Sequence, residues 1–114
     1  LIVSNTTISR PDLQSKHARE TGGLSGAPLR DLAQQRLIDF RKASGGKLGL
    51  IGVGGIASAE DAYARIRAGA SLVQIYSALV YHGPGLALKI NRQLLKLLQR
   101  DGFANISDAV GTDA

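Results

Sequence analysis

Short apolar runs alternate along this chain with longer segments in which apolar residues recur at helical spacing. Three runs have the length and composition of buried parallel strands: residues 1–5, 48–53 and 72–76. Apolar spacing, together with start and stop signals, predicts helices over residues 28–43, 58–69, 77–81, 84–100 and 106–110. Strands that alternate with helices in this way indicate an α/β fold with right-handed βαβ units and a parallel sheet.

The apolar stripes of these helices give a candidate core. The first helix contributes Leu29, Leu32, Ala33, Leu37 and Phe40. The second contributes Ala62, Tyr63 and Ile66, and the long helix contributes Ala87, Ile90, Leu94, Leu97 and Leu98. Ser58 is the predicted N-cap of the second helix, with Asp61 as its capping-box partner.

Three strand–helix units are three-eighths of a (β/α)8 TIM barrel, a fold that typically has about 250 residues. Such a piece by itself would leave two sheet edges without a neighbour. We therefore expect residues 1–114 to be the carboxyl-terminal portion of a single TIM-barrel domain. The amino-terminal portion of that domain is expected to be absent from this chain.

Composition excludes several classes of function. The net charge is +5, but the cations are scattered and do not alternate with the three Tyr and two Phe, so no nucleic-acid partner is expected. The absence of cysteine excludes disulfides and thiolate metal sites. His17 and Glu20 are of the right type to bind a metal, but the chain has only two histidines and no inward-facing helical pair of ligands, and no metal is expected. No nucleophile or general base can be assigned in this chain.

Candidate chemistry lies where the predicted strands end, because parallel α/β folds bind ligands at that edge. Gly54 and Gly55 stand between a strand and a helix, and Ser77 opens a short helix after the next strand. Free N–H groups in such turns suit a phosphate, although glycines there can also serve only to make a tight turn. Residues 52–57 also match the Rossmann pattern G-x-G-x-x-A, which is disfavoured because residues 74–77 lack the required acid.

The segment after the first strand, Ser4-Asn5-Thr6-Thr7, carries an amide and hydroxyl groups. Asparagine donates and accepts hydrogen bonds at once, which suits the edge of a planar ligand. An Asx or ST turn that leaves the strand explains the same residues equally well. A long polar loop over residues 6–27 follows, and loops of that length in compact domains are usually functional or disordered.

Four segments together resemble one enzyme family. They are Ser4 to Pro11 (SNTTISRP), Glu20 to Leu29 (ETGGLSGAPL), Ile51 to Ile56 (IGVGGI) and Arg67 to Leu79 (RAGASLVQIYSAL). They resemble the quinone-dependent (class 2) dihydroorotate dehydrogenases over essentially the whole chain, as the carboxyl-terminal third of such an enzyme. The first two segments are far more specific than the last two, because the GVGG and RAGA sequences of the last two recur in many phosphate-binding barrels.

The resemblance implies an FMN-dependent barrel that oxidises dihydroorotate to orotate in pyrimidine synthesis and passes the electrons to a membrane quinone. It implies FMN contacts at Ser4, Gly26, Gly55, Tyr76 and Ser77. Gly55 and Ser77 would donate backbone N–H groups to the FMN phosphate. A valine at Gly55 is then expected to expel FMN while the fold largely survives.

The resemblance also implies contacts from Asn5 and Thr6 to orotate, and a quinone side lined by Tyr76 and residues 80–84. The family's catalytic serine, its FMN- and substrate-binding lysine and its membrane-associating segment lie earlier in such enzymes. This piece is therefore expected to be inactive alone, and the whole enzyme to lie peripherally on the cytoplasmic side of the inner membrane. Two alternatives remain: another FMN- or phosphate-binding barrel, such as one acting on dihydropyrimidines or dihydrouridine, and a non-catalytic half-barrel that needs a partner.

Overall fold

The computed structural model describes residues 1–3 and 30–113, apart from the side chain of Ser77. Its strands are β1 (Ile2–Val3), β2 (Ile51–Val53) and β3 (Leu72–Gln74). Its helices are α1 (Arg30–Ser44), α2 (Ala59–Arg67), α3 (Ser77–His82), α4 (Leu86–Arg100) and α5 (Ile106–Ala109). The predicted order of strands and helices is confirmed. The predicted site residues Ser4, Asn5, Thr6 and Gly26 lie outside the described residues, as does Leu29 of the predicted core.

The three strands form one parallel sheet with β2 in the middle. The register pairs Ile51 with Ile2 on one side and with Leu72 on the other. Because all three strands run in the same direction, their carboxyl ends share one edge of the sheet. The segments that follow β2 and β3 are thus neighbours, as the sequence predicts.

Strand boundaries differ from the prediction. β2 begins at Ile51 rather than at Leu48, and Leu48 is exposed. The register with β3 accounts for the difference, because Ile51 pairs with Leu72, the first residue of β3, and Leu48 therefore has no residue of β3 opposite it. Leu50, directly before the strand, is nevertheless fully buried. β3 likewise ends at Gln74, two residues before the predicted end at Tyr76.

One core cluster lies between α2 and α4. Its α4 side is a single line of buried residues at four-residue spacing: Leu86, Ile90, Leu94 and Leu98. Its α2 side includes the predicted residues Ala62, Tyr63 and Ile66. The prediction is wrong for Ala87, which is exposed, because Leu86 and not Ala87 lies in line with Ile90, Leu94 and Leu98 at four-residue spacing. Leu97 is partly buried against the cluster.

A smaller core cluster lies between α1 and the sheet, and its members are Val3, Leu37, Leu50, Ala68 and Ala70. Ala33 and Leu37 are the buried residues of α1, whereas Leu32 and Phe40, which the stripe predicts as core, are exposed. In the described part of the structure α1 faces two short strands, β1 and β2. These strands cover the middle of the stripe but leave its sides exposed.

Candidate phosphate-binding edge

The loop that joins β2 to α2, residues 54–58, lies at the carboxyl edge of the sheet. Gly54 and Gly55 have φ values of 103° and 73°, in the region that favours glycine. Two consecutive glycines in this conformation turn the chain from the strand into the helix within a few residues. The predicted position of this turn is therefore confirmed, and its conformation requires glycine.

Gly55 also approaches α1 closely. A Cβ atom at this position would lie 2.4 Å from the Cα of Arg30 and 2.6 Å from its backbone nitrogen. These are backbone atoms of the first turn of α1, so a side chain at position 55 cannot be accommodated by a rotamer change. The expectation that Gly55→Val would spare the fold is therefore wrong, since the contact between the two backbones needs a glycine whatever the loop binds.

Arg65 lies beneath this loop, and its side chain is 0% exposed. Its Nη1 donates to the carbonyl of Val53 at 3.1 Å, and its Nη2 donates to the carbonyl of Gly54 at 2.9 Å and to that of Arg30 at 3.2 Å. Burial lowers the pKa of this guanidinium. Arg65 thus ties the end of β2 and the start of α1 together through backbone carbonyls.

The stem of Arg65 explains a glycine inside β2. A Cβ atom at Gly52 would lie 2.4 Å from Cγ of Arg65 and 3.3 Å from Cβ of Ala70. The aliphatic part of Arg65 therefore packs across β2 at Gly52, where the absence of a side chain leaves space for it. Sequence reasoning missed Arg65, although a cation three positions after Ala62 on the buried face and a glycine in mid-strand were both visible.

Asp61 closes the far end of the loop. The Asp61 N–H donates to Oγ of Ser58 at 3.1 Å, which confirms the predicted cap of α2. Its own Oδ2 accepts from the N–H of Ala57 at 3.1 Å, so the reciprocal bond lies one residue earlier than in a standard capping box. Its Oδ1 pairs with Nη1 of Arg30 at 3.3 Å, which neutralises the carboxylate.

The backbone N–H groups between these two anchors remain available. Among the described residues, none accepts a hydrogen bond from the N–H of Gly54, Gly55 or Ile56. The same holds, within the described residues, for the N–H of Ser77 at the start of α3. Such donors at the carboxyl edge of adjacent parallel strands form a group that suits an anion.

The segment after β3 brings Tyr76 and Ser77 to the same edge. Tyr76 is 81% exposed and precedes α3, in which Val80 and Tyr81 are also exposed. The structure therefore brings three of the predicted FMN contacts, Gly55, Tyr76 and Ser77, to one edge. Ser4 to Thr6 follow β1 directly in the sequence but lie outside the described residues.

A second polar cluster lies away from this edge, between α2 and the end of α4. The Tyr63 hydroxyl donates to Oδ2 of Asp101 at 2.7 Å, and Arg67 pairs with the same oxygen at 3.3 Å. Hydrogen bonds from Arg100 and from Tyr63 lower the pKa of Asp101 to about 2. Burial, followed by the bond to Asp101, raises the pKa of Tyr63. The guanidinium of Arg67 also stacks 5.5 Å from the centre of the Tyr63 ring.

The described residues offer neither a metal centre nor a membrane-spanning helix. Within residues 1–3 and 30–113, no group of three or more His, Asp or Glu side chains is placed to hold a metal ion. In the same part of the chain, no helix has both the length and the apolar character needed to cross a bilayer.

Comparison with known proteins places the chain in one family. The family model for dihydroorotate dehydrogenase matches residues 1–98. The chain is 67% identical over 114 residues to a "Dihydroorotate dehydrogenase (quinone)" of Sphingopyxis alaskensis, and the match covers all of this chain and 32% of that relative. A relative with the same name from Erythrobacter litoralis is 65% identical over 113 residues, covering 99% of this chain and 33% of its own. The chain thus spans about a third of the length of the curated relatives it matches.

A solved structure has the same fold over the matching part. The crystal structure of DHODH from Eimeria tenella in complex with ferulenol superposes with a TM-score of 0.95 at 45% identity. It covers 98% of this chain, which corresponds to 30% of that one. The predicted fold, a set of consecutive strand–helix units of a TIM barrel, is confirmed.

Proposed function

The chain belongs to the dihydroorotate dehydrogenase family, and we propose that it is the carboxyl-terminal portion of the single barrel domain of a quinone-dependent member. In this proposal the complete enzyme oxidises dihydroorotate to orotate, and this portion holds the phosphate of FMN and one edge of the substrate. The match to about a third of each named relative supports a partial barrel. The further expectation that the isolated chain is inactive follows from the same division of the enzyme.

The proposal rests on a set of N–H groups at the carboxyl edge that have no hydrogen-bond acceptor among residues 1–3 and 30–113. Gly54 and Gly55 contribute two, and Ser77 contributes one from the neighbouring strand–helix unit. A phosphate site built from the loops after two adjacent barrel strands has this layout. Gly55 and Ser77 would hold the FMN phosphate, and Tyr76, Ser4 and Gly26 would contact other parts of the cofactor.

The substrate contacts are proposed at Asn5 and Thr6, which follow β1 at the same edge. An amide and a hydroxyl can together match the mixed donors and acceptors of the orotate ring and its carboxylate. Bound FMN supplies hydride acceptance and electron transfer to the quinone, while this chain contributes position and electrostatics. The residue that removes the substrate proton is proposed to lie outside this chain.

The quinone is proposed to approach near Tyr76 and residues 80–84. Tyr76, directly before α3, and Val80 and Tyr81, within α3, carry exposed apolar or aromatic side chains. Large exposed apolar groups of this kind suit a hydrophobic electron acceptor. Peripheral association with the inner membrane, on its cytoplasmic side, is proposed to depend on a segment that is not part of this chain.

The test uses the complete enzyme that contains this chain, purified without added flavin. We expect a yellow protein that releases FMN on denaturation and that forms orotate from dihydroorotate only when a quinone is supplied. A folded, colourless protein that forms no orotate would contradict the proposal. The isolated 114-residue chain is expected to form no orotate in the same assay.

A substitution separates the substrate contact from the cofactor contact. Asn5→Ala is expected to lower kcat/KM for dihydroorotate about tenfold or more while FMN content stays unchanged, because it removes a hydrogen-bonding partner of the substrate. The matched control is Asn105→Ala, which removes an amide that caps α5 away from the carboxyl edge. Equal kcat/KM values for the two variants would rule out the role assigned to Asn5.

A further inference from the structure

Arg65 occupies an unusual position for a charged residue. It is fully buried, and within the described residues no carboxylate lies within ion-pair distance of it. Within residues 1–3 and 30–113, Arg65 donates three hydrogen bonds, all to backbone carbonyls, and its Nε has no acceptor there. A buried cation that no carboxylate contacts is costly to keep, and the favourable charge interaction with Asp61 offsets the burial only in part. This cost points to a role for Arg65 beyond packing.

The carbonyls that Arg65 binds belong to the peptide units that carry the candidate phosphate donors. The carbonyl of Val53 and the N–H of Gly54 are in one peptide unit, and the carbonyl of Gly54 and the N–H of Gly55 are in the next. In a planar trans peptide the N–H points away from the carbonyl of the same unit. Because Arg65 draws both carbonyls inward, both N–H groups must face outward from the loop.

We propose that Arg65 is the positioning residue of the phosphate-binding loop: it fixes the orientation of the Val53–Gly54 and Gly54–Gly55 peptide units so that their N–H groups face outward, on the side where the FMN phosphate is proposed to bind. This inference rests on the proposed function. The guanidinium also polarises both units, which strengthens their N–H groups as donors. It acts through the backbone and touches neither the phosphate nor the substrate.

Two further contacts fit this role. The third hydrogen bond, to the Arg30 carbonyl at 3.2 Å, anchors the guanidinium to the start of α1. Gly52 leaves the space through which the stem of Arg65 reaches the loop. The loop is thus held by Arg65 from below and by Asp61 from its far end. Glycine is conformationally permissive, so Gly54 and Gly55 could adopt several backbone conformations by themselves. The contacts of Arg65 and Asp61 hold them in one.

The experiment compares FMN with riboflavin, which lacks the phosphate. Dissociation constants for both are measured on the apo form of the complete enzyme, for wild type, Arg65→Met and Arg65→Lys. Wild type is expected to bind FMN about a hundredfold or more tightly than riboflavin. Arg65→Met is expected to reduce that ratio about tenfold with little change in riboflavin affinity, as charge-assisted hydrogen bonds are lost. Arg65→Lys keeps the charge and several donors and is expected to restore most of the ratio.

The outcomes are distinguishable. If wild type binds both ligands equally, the proposed phosphate site itself is wrong. If wild type discriminates but Arg65→Met weakens both ligands by the same factor, Arg65 is only structural and the inference is overturned. If Arg65→Met does not fold, Arg65→Gln is compared with Arg65→Lys, and equal FMN-to-riboflavin ratios for these two variants overturn the inference.

The matched control is Arg67→Gln. Arg67 lies two residues from Arg65 but pairs with Asp101 and Asp113, so this variant is expected to keep the wild-type ratio.

Discussion

Arg65 and Arg67 lie two residues apart on α2 and have opposite surroundings. Arg65 is fully buried and binds backbone carbonyls at the sheet edge. Arg67 is partly exposed, pairs with Asp101 at 3.3 Å and Asp113 at 2.9 Å, and stacks on Tyr63. Burial lowers the pKa of Arg65, whereas the hydrogen bond that Arg67 donates to Asp113 is the main cause that raises the pKa of Arg67.

The difference shows how one short helix can serve two regions of the molecule. Its inner side shapes the loop at the carboxyl edge, where the ligand is proposed to bind. On its outer side, Arg67 forms partly exposed ion pairs with Asp101, at the end of α4, and with Asp113. Such ion pairs individually contribute little to stability. Substitutions on the inner side should therefore change both stability and ligand selectivity, whereas those on the outer side should change stability alone.

The largest effect is expected for Gly55→Ala. The added Cβ would lie 2.4 Å from the Arg30 Cα, and the residue has a φ of 73°. We expect a loss of about 3 kcal/mol or more in the free energy of unfolding, because both the backbone strain and the clash oppose folding. The measurement is denaturant unfolding of the complete enzyme.

The matched control for that substitution is Gly45→Ala. Gly45 has a similar φ of 62°, but a Cβ there meets nothing within 4 Å. We expect a loss of about 1 kcal/mol, from backbone strain alone. Equal losses for the two variants would show that the close approach of Gly55 to α1 is not important for the fold.

Arg65→Met is expected to have the next largest effect on stability. It leaves the carbonyls of Val53, Gly54 and Arg30 without their donor, although it also removes a buried charge. We expect a net loss of about 2 kcal/mol, measured by denaturant unfolding. Arg67→Met should lower stability less, and the reverse order would break the comparison between the inner and outer sides of α2.

Loss of the helix cap is expected to have a smaller effect. Ser58→Ala removes the oxygen that accepts from the Asp61 N–H, at a cost of about 1 kcal/mol. Ser58→Asp should recover most of this loss, because aspartate caps helices as well as serine does. A failure of Ser58→Asp to recover stability in thermal unfolding would mean that the hydroxyl has another role in the loop.

The smallest effect is expected from acid acting on the outer cluster. The folded-state pKa of Asp101, about 2, is below its ordinary value of 3.8. Its ionised form therefore stabilises the protein above pH 4, and that contribution is lost as the pH falls from about 4 through about 2. The measurement is the free energy of unfolding against pH for wild type and Asp101→Asn. The loss of stability in this range should be smaller in the variant, and identical pH dependences would contradict this assignment.

Periodicity and turn residues were sufficient to predict the order of elements and the glycine turn at the carboxyl edge. The apolar stripe of α4 was predicted apart from Ala87, because its four-residue line is repeated over the whole helix. Leu32 and Phe40 were wrongly predicted as core, since spacing does not tell how wide a sheet the helix faces. The predicted start of β2 at Leu48 was wrong for a similar reason, because register is set by the partner strand.

The two sequence signals for Arg65, a cation on the buried face of α2 and a glycine inside β2, mark the residue but do not reveal its role. A cation on a helix usually indicates a solvated face, and its partners are backbone carbonyls that carry no sequence signal. The close approach of Gly55 to the backbone of Arg30 could not be predicted either, because α1 is distant from Gly55 in the sequence. All of the ligand-contact assignments remain predictions: Ser4, Asn5, Thr6, Gly26, Gly55, Tyr76 and Ser77.

The most direct test of the central claim is a crystal structure of the complete enzyme with FMN bound. Phosphate oxygens are expected at hydrogen-bond distance, about 2.7–3.2 Å, from the backbone nitrogens of Gly55 and Ser77. The Arg65 guanidinium should remain on the carbonyls of Val53 and Gly54. A phosphate bound away from residues 54–58, or one contacted directly by Arg65, would contradict the account.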